Sequence, residues 1–181
     1  MNSHLKSVLL FILLAAAGFA EDTRLAGWLK SAEQGYAPAQ YTLGLMYDEG
    51  DGVPKDSAEA AKWYRLAAEQ GYVFAQHSLG GMYIRGEGVP KDEAKAVKWY
   101  RKAADQGYAN AQYNLGLMYA NGEGVPKDLV QAHVWWNIAG ANGDKDARKQ
   151  LEIVEEKMTD LQKDKATEMA RELFAKLTKG K

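Results

Sequence analysis

Cysteine is absent from the 181 residues, so no disulfide can staple the fold and no thiolate can act as nucleophile or metal ligand. Histidine occurs three times, at His4, His77 and His133, never in a cluster, and neither HExxH nor GxSxG is present. A metal site or a histidine-activated nucleophile has no local assembly of parts, so the chain is expected to hold no cofactor and no metal and not to be an enzyme. An excess of one charge is missing too: 23 Lys and Arg stand against 24 Asp and Glu, which leaves no basic surplus for a phosphate backbone and argues against nucleic acid as a partner. Proline is scarce, with three of its four copies in one recurring Gly-Val-Pro-Lys-Asp stretch.

Long apolar runs are also lacking. The one that exists, Val8 to Ala17, is about half of the ~20 residues that span a bilayer. Lys6 precedes it and Gly18-Phe19-Ala20 follows it with small residues, the pattern of a cleavable secretory signal over residues 1–20. Removing that segment takes away Lys6 and no acid, leaving 22 bases against 24 acids and a formal charge of −2. With no cysteine to carry a lipid and no integral membrane segment after cleavage, the mature chain is expected to be periplasmic or secreted, and monomeric.

What the sequence does contain is a period. Residues 37–72 align without gaps to residues 73–108 and match at 23 of 36 positions; a third copy, 109–144, follows and decays after Trp135. Within each copy Ala39, Leu43, Met46 and Tyr47 recur as Ala75, Leu79, Met82, Tyr83 and as Ala111, Leu115, Met118, Tyr119. Steps of four, three and one predict one buried helical face. Gly44, Gly80 and Gly116 lie inside that helix although glycine costs it about 1 kcal/mol against alanine, which predicts close helix–helix contact there. The first helix ends at Gly50-Asp51-Gly52. The Pro54-Lys55-Asp56 stretch then starts a second helix, with Asp56 and Glu59, and Asp128 and Gln131, at capping-box spacing. Gly35, Gly71 and Gly107 are expected C-cap glycines.

Two amphipathic helices per copy cannot bury their stripes alone, so the copies must stack. The fold expected is an all-α, right-handed α-solenoid of helix-turn-helix repeats. Residues 21–36 form an N-terminal partial repeat, because Ala32-Glu33-Gln34-Gly35-Tyr36 matches Ala68-Glu69-Gln70-Gly71-Tyr72. Repeats occupy 37–72, 73–108 and 109–144. Residues 145–181 are expected to cap the far end as two longer, charge-rich helices, Asp144 to Lys157 and Asp160 to Leu177.

The run Ala-x-Ala-Gln-x-x-Leu-Gly-x-Met-Tyr, then Gly-x-Gly-Val-Pro-Lys-Asp, then Ala-x-x-Trp-Tyr-Arg-x-Ala-Ala-x-Gln-Gly resembles the Sel1-like repeat, a TPR-like family, over about 37–143. The resemblance implies an adaptor or scaffold that binds a protein or peptide on a concave face, in bacterial signalling, envelope assembly or host contact. A cysteine-rich secreted branch is described as β-lactamase-like, so a cell-wall hydrolase or a host-interaction factor is the alternative. That branch carries a cysteine pair in each repeat and this chain has none.

Within an array, invariant positions build the frame and varying positions are free to meet a partner. On the first helix, positions four, three and four apart share a face distinct from the buried one. It reads Pro38, Thr42, Leu45, Glu49, then Phe74, Ser78, Gly81, Arg85, then Asn110, Asn114, Leu117, Asn121. These residues, flanked by Tyr41, His77 and Tyr113, form the predicted binding groove, with the aromatics as anchors. Trp63-Tyr64, Trp99-Tyr100 and Trp135-Trp136 are read as core, and the acid between the glycines of each turn as far short of a calcium site's six to eight oxygens.

Overall fold

A computed structural model describes residues 19–179, and within them the chain is helical throughout. The apolar run Val8 to Ala17, read as the core of a signal peptide, lies outside the described residues. Nine helices follow in order: α1 Phe19–Glu33, α2 Ala37–Glu49, α3 Ser57–Glu69, α4 Val73–Arg85, α5 Glu93–Asp105, α6 Ala109–Asn121, α7 Leu129–Ala141, α8 Lys145–Glu155 and α9 Asp160–Lys179. Each of α2, α4 and α6 packs on the second helix of its own repeat and on the second helix before it, which makes the array an α-solenoid.

Local chemistry sets the helix ends. Asp56 accepts hydrogen bonds from the N–H groups of Ala58 and Glu59 at 2.9 and 3.0 Å, Asp92 from Lys95 at 2.9 Å, and Asp128 from Gln131 at 3.0 Å. The capping box is only half made, contrary to its spacing. The N–H groups of Asp56, Asp92 and Asp128 donate instead to the carbonyls of Tyr47, Tyr83 and Tyr119, at 2.8, 3.0 and 2.9 Å, because the turn folds back on the end of the first helix. Gly50, Gly86 and Gly122 terminate the first helices in the left-handed region, with φ of +80°, +69° and +79°, a conformation glycine adopts without strain.

The glycines inside the first helices have the expected packing reason. A methyl group added at Gly80 would stand 2.7 Å from the Tyr100 ring, and one at Gly116 2.5 Å from Trp136 Nε1; each aromatic packs directly against bare backbone. Those aromatics are buried, as are Tyr64 and Trp135. Trp63 and Trp99, read as core, pack against the core but are only half-buried, and Lys102 Nζ sits 4.3 Å over the Trp99 ring. Burying a large apolar side chain is worth about 1.5–3 kcal/mol, so Tyr64, Tyr100 and the Trp135-Trp136 pair dominate the inter-helix energy.

Polar ladders register the stack. Buried Gln40, Gln76 and Gln112 donate through Nε2 to the carbonyls of Ala32, Ala68 and Ala104, at 3.1, 3.1 and 3.0 Å. Their Oε1 atoms accept from Gln70, Gln106 and Asn142 at 2.6, 2.8 and 2.9 Å. A buried amide left unpaired costs about 1–3 kcal/mol, so a stack shifted by one turn would leave all three orphaned. On the other side Arg65 donates to the Tyr83 hydroxyl at 3.0 Å and Arg101 to that of Tyr119 at 2.6 Å.

At the C-terminal end the pattern continues for one helix. Ala147 and Leu151 in α8 occupy the slots of Ala111 and Leu115, and Arg148 takes over the glutamine's task by donating to the Gly140 carbonyl at 3.1 and 2.8 Å. Only one of the two helices beyond the array is long: α8 has 11 residues and α9 has 20. Glu152 stands in the slot of Gly44, Gly80 and Gly116, so α8 has a side chain where they leave bare backbone. The last helix packs on α7 instead, through Ala166 and Ala170 with Met169, Leu173, Phe174 and Leu177 around them.

Candidate functional site

Aromatic side chains at the starts of the first helices meet across repeat boundaries. The Tyr41 ring lies 5.6 Å from Tyr64, 5.2 Å from Tyr72 and 6.0 Å from Phe74, and Phe74 lies 5.5 Å from Tyr72 and 5.4 Å from Tyr108. His77 continues the row, 5.2 Å from Tyr108 and 5.5 Å from Tyr100. A ribbon of seven rings thus crosses the first two repeats, and at its centre Phe74 remains 42% exposed.

The predicted face splits into three groups. Tyr41, Phe74, His77, Ser78 and Asn114 are brought together in and beside the ribbon. Asn114 Nδ2 lies 3.0 Å from His77 Nε2, within hydrogen-bond distance. Asn110 joins the edge of the ribbon by donating to the Tyr108 hydroxyl at 3.2 Å. A second group lines the far ends of the same helices: Glu49 is exposed, Arg85 pairs with Glu87 at 2.6 Å, and Asn121 donates to Glu123 at 3.0 Å. A third group is drawn into packing. Leu45 and Leu117 lie half-buried against the core, Gly81 is buried, and Thr42 turns its hydroxyl to the Pro38 carbonyl at 2.9 Å. Tyr113, expected as an anchor, has no ring partner in the ribbon; it lies against the third-repeat cluster and its carbonyl accepts from Trp136 Nε1 at 3.1 Å.

Burial sets the electrostatics. It pushes the Tyr41 hydroxyl above its ordinary range, with Ser78 opposing as a hydrogen-bond partner and Tyr108, Tyr72 and Glu49 adding to the rise. Burial also dominates the upward shift of Tyr64, followed by the charges of Asp48 and Glu49. His77 is driven down by burial and then by the Arg85 charge, so the ribbon holds an uncharged imidazole at neutral pH. His133 is buried at 1% exposure, with Nε2 2.9 Å from Glu155 Oε1; it joins α7 to α8, away from the ribbon.

Sequence reasoning missed Tyr36, Tyr72 and Tyr108. All three occupy N-cap positions and make no side-chain cap bond, where Ser, Thr, Asp or Asn would stabilise the helix by about 1 kcal/mol relative to a non-capping residue. A residue wrong for its cap in every repeat is the signal that marks these positions. Tyr72 and Tyr108 supply two of the ribbon's rings, and Tyr36 is 58% exposed, with Pro38 standing where Phe74 stands one repeat later.

Among the described residues no three His, Asp or Glu side chains gather as a metal site requires, and no helix is long and apolar enough to cross a membrane. Stacked helix pairs of this kind define a helical-repeat protein of the α-solenoid class. The chain belongs to the Sel1 repeat family, whose pattern matches residues 37–72, 73–108 and 109–144. Proteins built of these repeats generally mediate protein–protein interaction and are typically non-enzymatic scaffolds.

Solved structures and a curated protein are similar to the chain. A Sel1 repeat protein from Oxalobacter formigenes is 43% identical, with a TM-score of 0.66 over 71% of this chain and 97% of that one. A protective antigen of uropathogenic Escherichia coli with an SLR fold is 33% identical, with a TM-score of 0.62 over 87% of this chain and 43% of that one. A chitin synthase regulator of Malassezia restricta is 45% identical over 47 residues, which are 25% of this chain and 3% of that protein's length. The cysteine rich protein B of Helicobacter pylori, at 23% identity and a TM-score of 0.59 over 76% of this chain, shares the fold.

Proposed function

We propose that this chain is a monomeric adaptor of the bacterial envelope or the secreted space, binding a protein or peptide segment across the aromatic ribbon on the concave face of its first helices. The observation that carries the reading is the exposed Phe74 at the centre of a continuous row of rings. Aromatic side chains give large contact area for little lost rotamer freedom and dominate binding hot spots. The export half of the reading is supported by Lys6, the apolar run Val8 to Ala17 and the small residues at 18–20.

Affinity capture from envelope extract and culture medium, with wild-type bait beside a Phe74→Ala/Tyr108→Ala bait of equal helicity, tests the binding half. A protein retained only by the wild type supports the ribbon, and equal retention by both baits removes it. Cell fractionation with intact-mass analysis tests the export half: a mature chain beginning at Glu21 outside the cytoplasm supports it, and an uncleaved cytoplasmic chain ends it.

A further inference from the structure

The ribbon's ring geometry restricts what can lie on it. Around the exposed centre Phe74 stands at 65° to Tyr72, 85° to Tyr108 and 36° to Tyr41, and His77 at 77° to Tyr108. Flat ligands such as nucleobases stack on open ring faces, whereas edge-to-face rings present alternating ridges and notches. Notches of this kind receive side chains, so the face suits a polypeptide whose apolar residues fall either side of Phe74.

Charge distinguishes the two ends of this face. Asp48 and Glu49 occupy the last turn of α2, where the helix dipole is negative and a base is favoured; that turn carries no base. The equivalent residues are Ile84 and Arg85 in α4, and Ala120 and Asn121 in α6. No cation among the described residues lies within ion-pair distance of Asp48 or Glu49, while Arg85 is committed to Glu87 at 2.6 Å and Lys149 to Asp146 at 2.8 Å. Asp48 and Glu49 lie seven and eight residues beyond Tyr41 on α2, about 10–12 Å along the helix axis. The first repeat's helix thus ends in an unpaired acidic pair, whereas the equivalent cation of the second repeat, Arg85, is held by Glu87.

We infer that the occupant of the ribbon is a cationic peptide segment, which seats apolar side chains beside Phe74 and carries a lysine or arginine to Asp48 and Glu49. The cation meets the carboxylates about two helical turns from Tyr41, a charge-assisted contact. This inference rests on the ribbon being the binding face.

The test pans a displayed library of random short peptides on the whole chain, on an Asp48→Asn/Glu49→Gln variant and on Phe74→Ala/Tyr108→Ala, at low and high salt. The expected result is enrichment of peptides with Lys or Arg a few residues from Leu, Ile or Phe. Their affinity should fall about fivefold in the Asp48→Asn/Glu49→Gln variant, the scale of an exposed ion pair, and lose most of its salt dependence. That variant should melt no lower than the wild type, since it removes negative charge from a helix C-terminus, so weaker binding cannot be ascribed to unfolding. Enriched peptides that are acidic or neutral, or undiminished cationic binding to the Asp48→Asn/Glu49→Gln variant, overturn the charge assignment and leave the ribbon standing. Binding untouched by Phe74→Ala/Tyr108→Ala, or no enrichment at all, removes the ribbon and the inference together. Self-association of the chain that Phe74→Ala abolishes would put a second copy on the face and overturn the cationic peptide.

Discussion

Replacing Gly88 by alanine isolates how one repeat is locked to the one before it. Gly88 is the second glycine of the Gly86-Glu87-Gly88 turn and sits at φ +66°. A methyl group there would overlap the Ser57 carbonyl, at the start of the preceding repeat's second helix, and stand 2.8 Å from the Ala58 nitrogen. Two costs add. The left-handed backbone disfavours any L side chain by about 1–2 kcal/mol, and overpacking against groups that cannot rotate away costs about 1–3 kcal/mol more. The obstruction is backbone, so the loop or the helix N-terminus must move as a body. Gly71 provides the control: it has φ +90° and nothing within 4 Å of an added methyl, so Gly71→Ala incurs the backbone cost alone. Urea unfolding followed by helical circular dichroism should place Gly88→Ala about 2–5 kcal/mol below wild type, and Gly71→Ala about 1–2 kcal/mol below. If Gly88→Ala costs no more than Gly71→Ala, the turn does not pack on the preceding repeat and the reasoning fails.

Two further outcomes follow from the same geometry. Gly80→Ala gains about 1 kcal/mol of helix propensity but drives a methyl to 2.7 Å from the Tyr100 ring; the clash should offset that gain, for a net loss of up to about 2 kcal/mol. In a Tyr100→Leu background the same change should be neutral or stabilising, and a double-mutant cycle with no coupling would disprove the contact. His77 is held below the ordinary histidine value of 6.5 by burial and Arg85. Between the folded and unfolded values the unfolded chain binds more protons, so stability present at neutral pH is lost as pH falls from about 6.5 toward the folded value. His77→Tyr, the residue of the other two repeats, should flatten that decline in a pH series of melting curves; an unchanged slope would mean that another group causes it.

The chemistry of helix termini was legible residue by residue. Asp56, Asp92 and Asp128 bind the first amides of the helices they precede, and Gly35, Gly71 and Gly107 end second helices in the left-handed region as their position implied. The half-made capping boxes were not legible, because the competing acceptors, the carbonyls of Tyr47, Tyr83 and Tyr119, belong to the preceding helix. The candidate face was partly legible. Phe74, His77 and Tyr41 stood out by variation between copies, but Tyr72 and Tyr108 did not vary and so were passed over.

By itself, the sequence determined the period, the two helices of each repeat, their caps and the buried face, because these depend on residues within about one turn of one another or on a pattern stated three times over. Tertiary structure alone decided which rings share a surface. Tyr41 reaches Phe74, 33 positions away, and Phe74 reaches Tyr108, 34 positions on, contacts that exist only because one repeat is laid on the next at a fixed angle. It also decided where the last helix lies: α9 packs back on α7 through Ala166 and Ala170, a placement that no local pattern specifies.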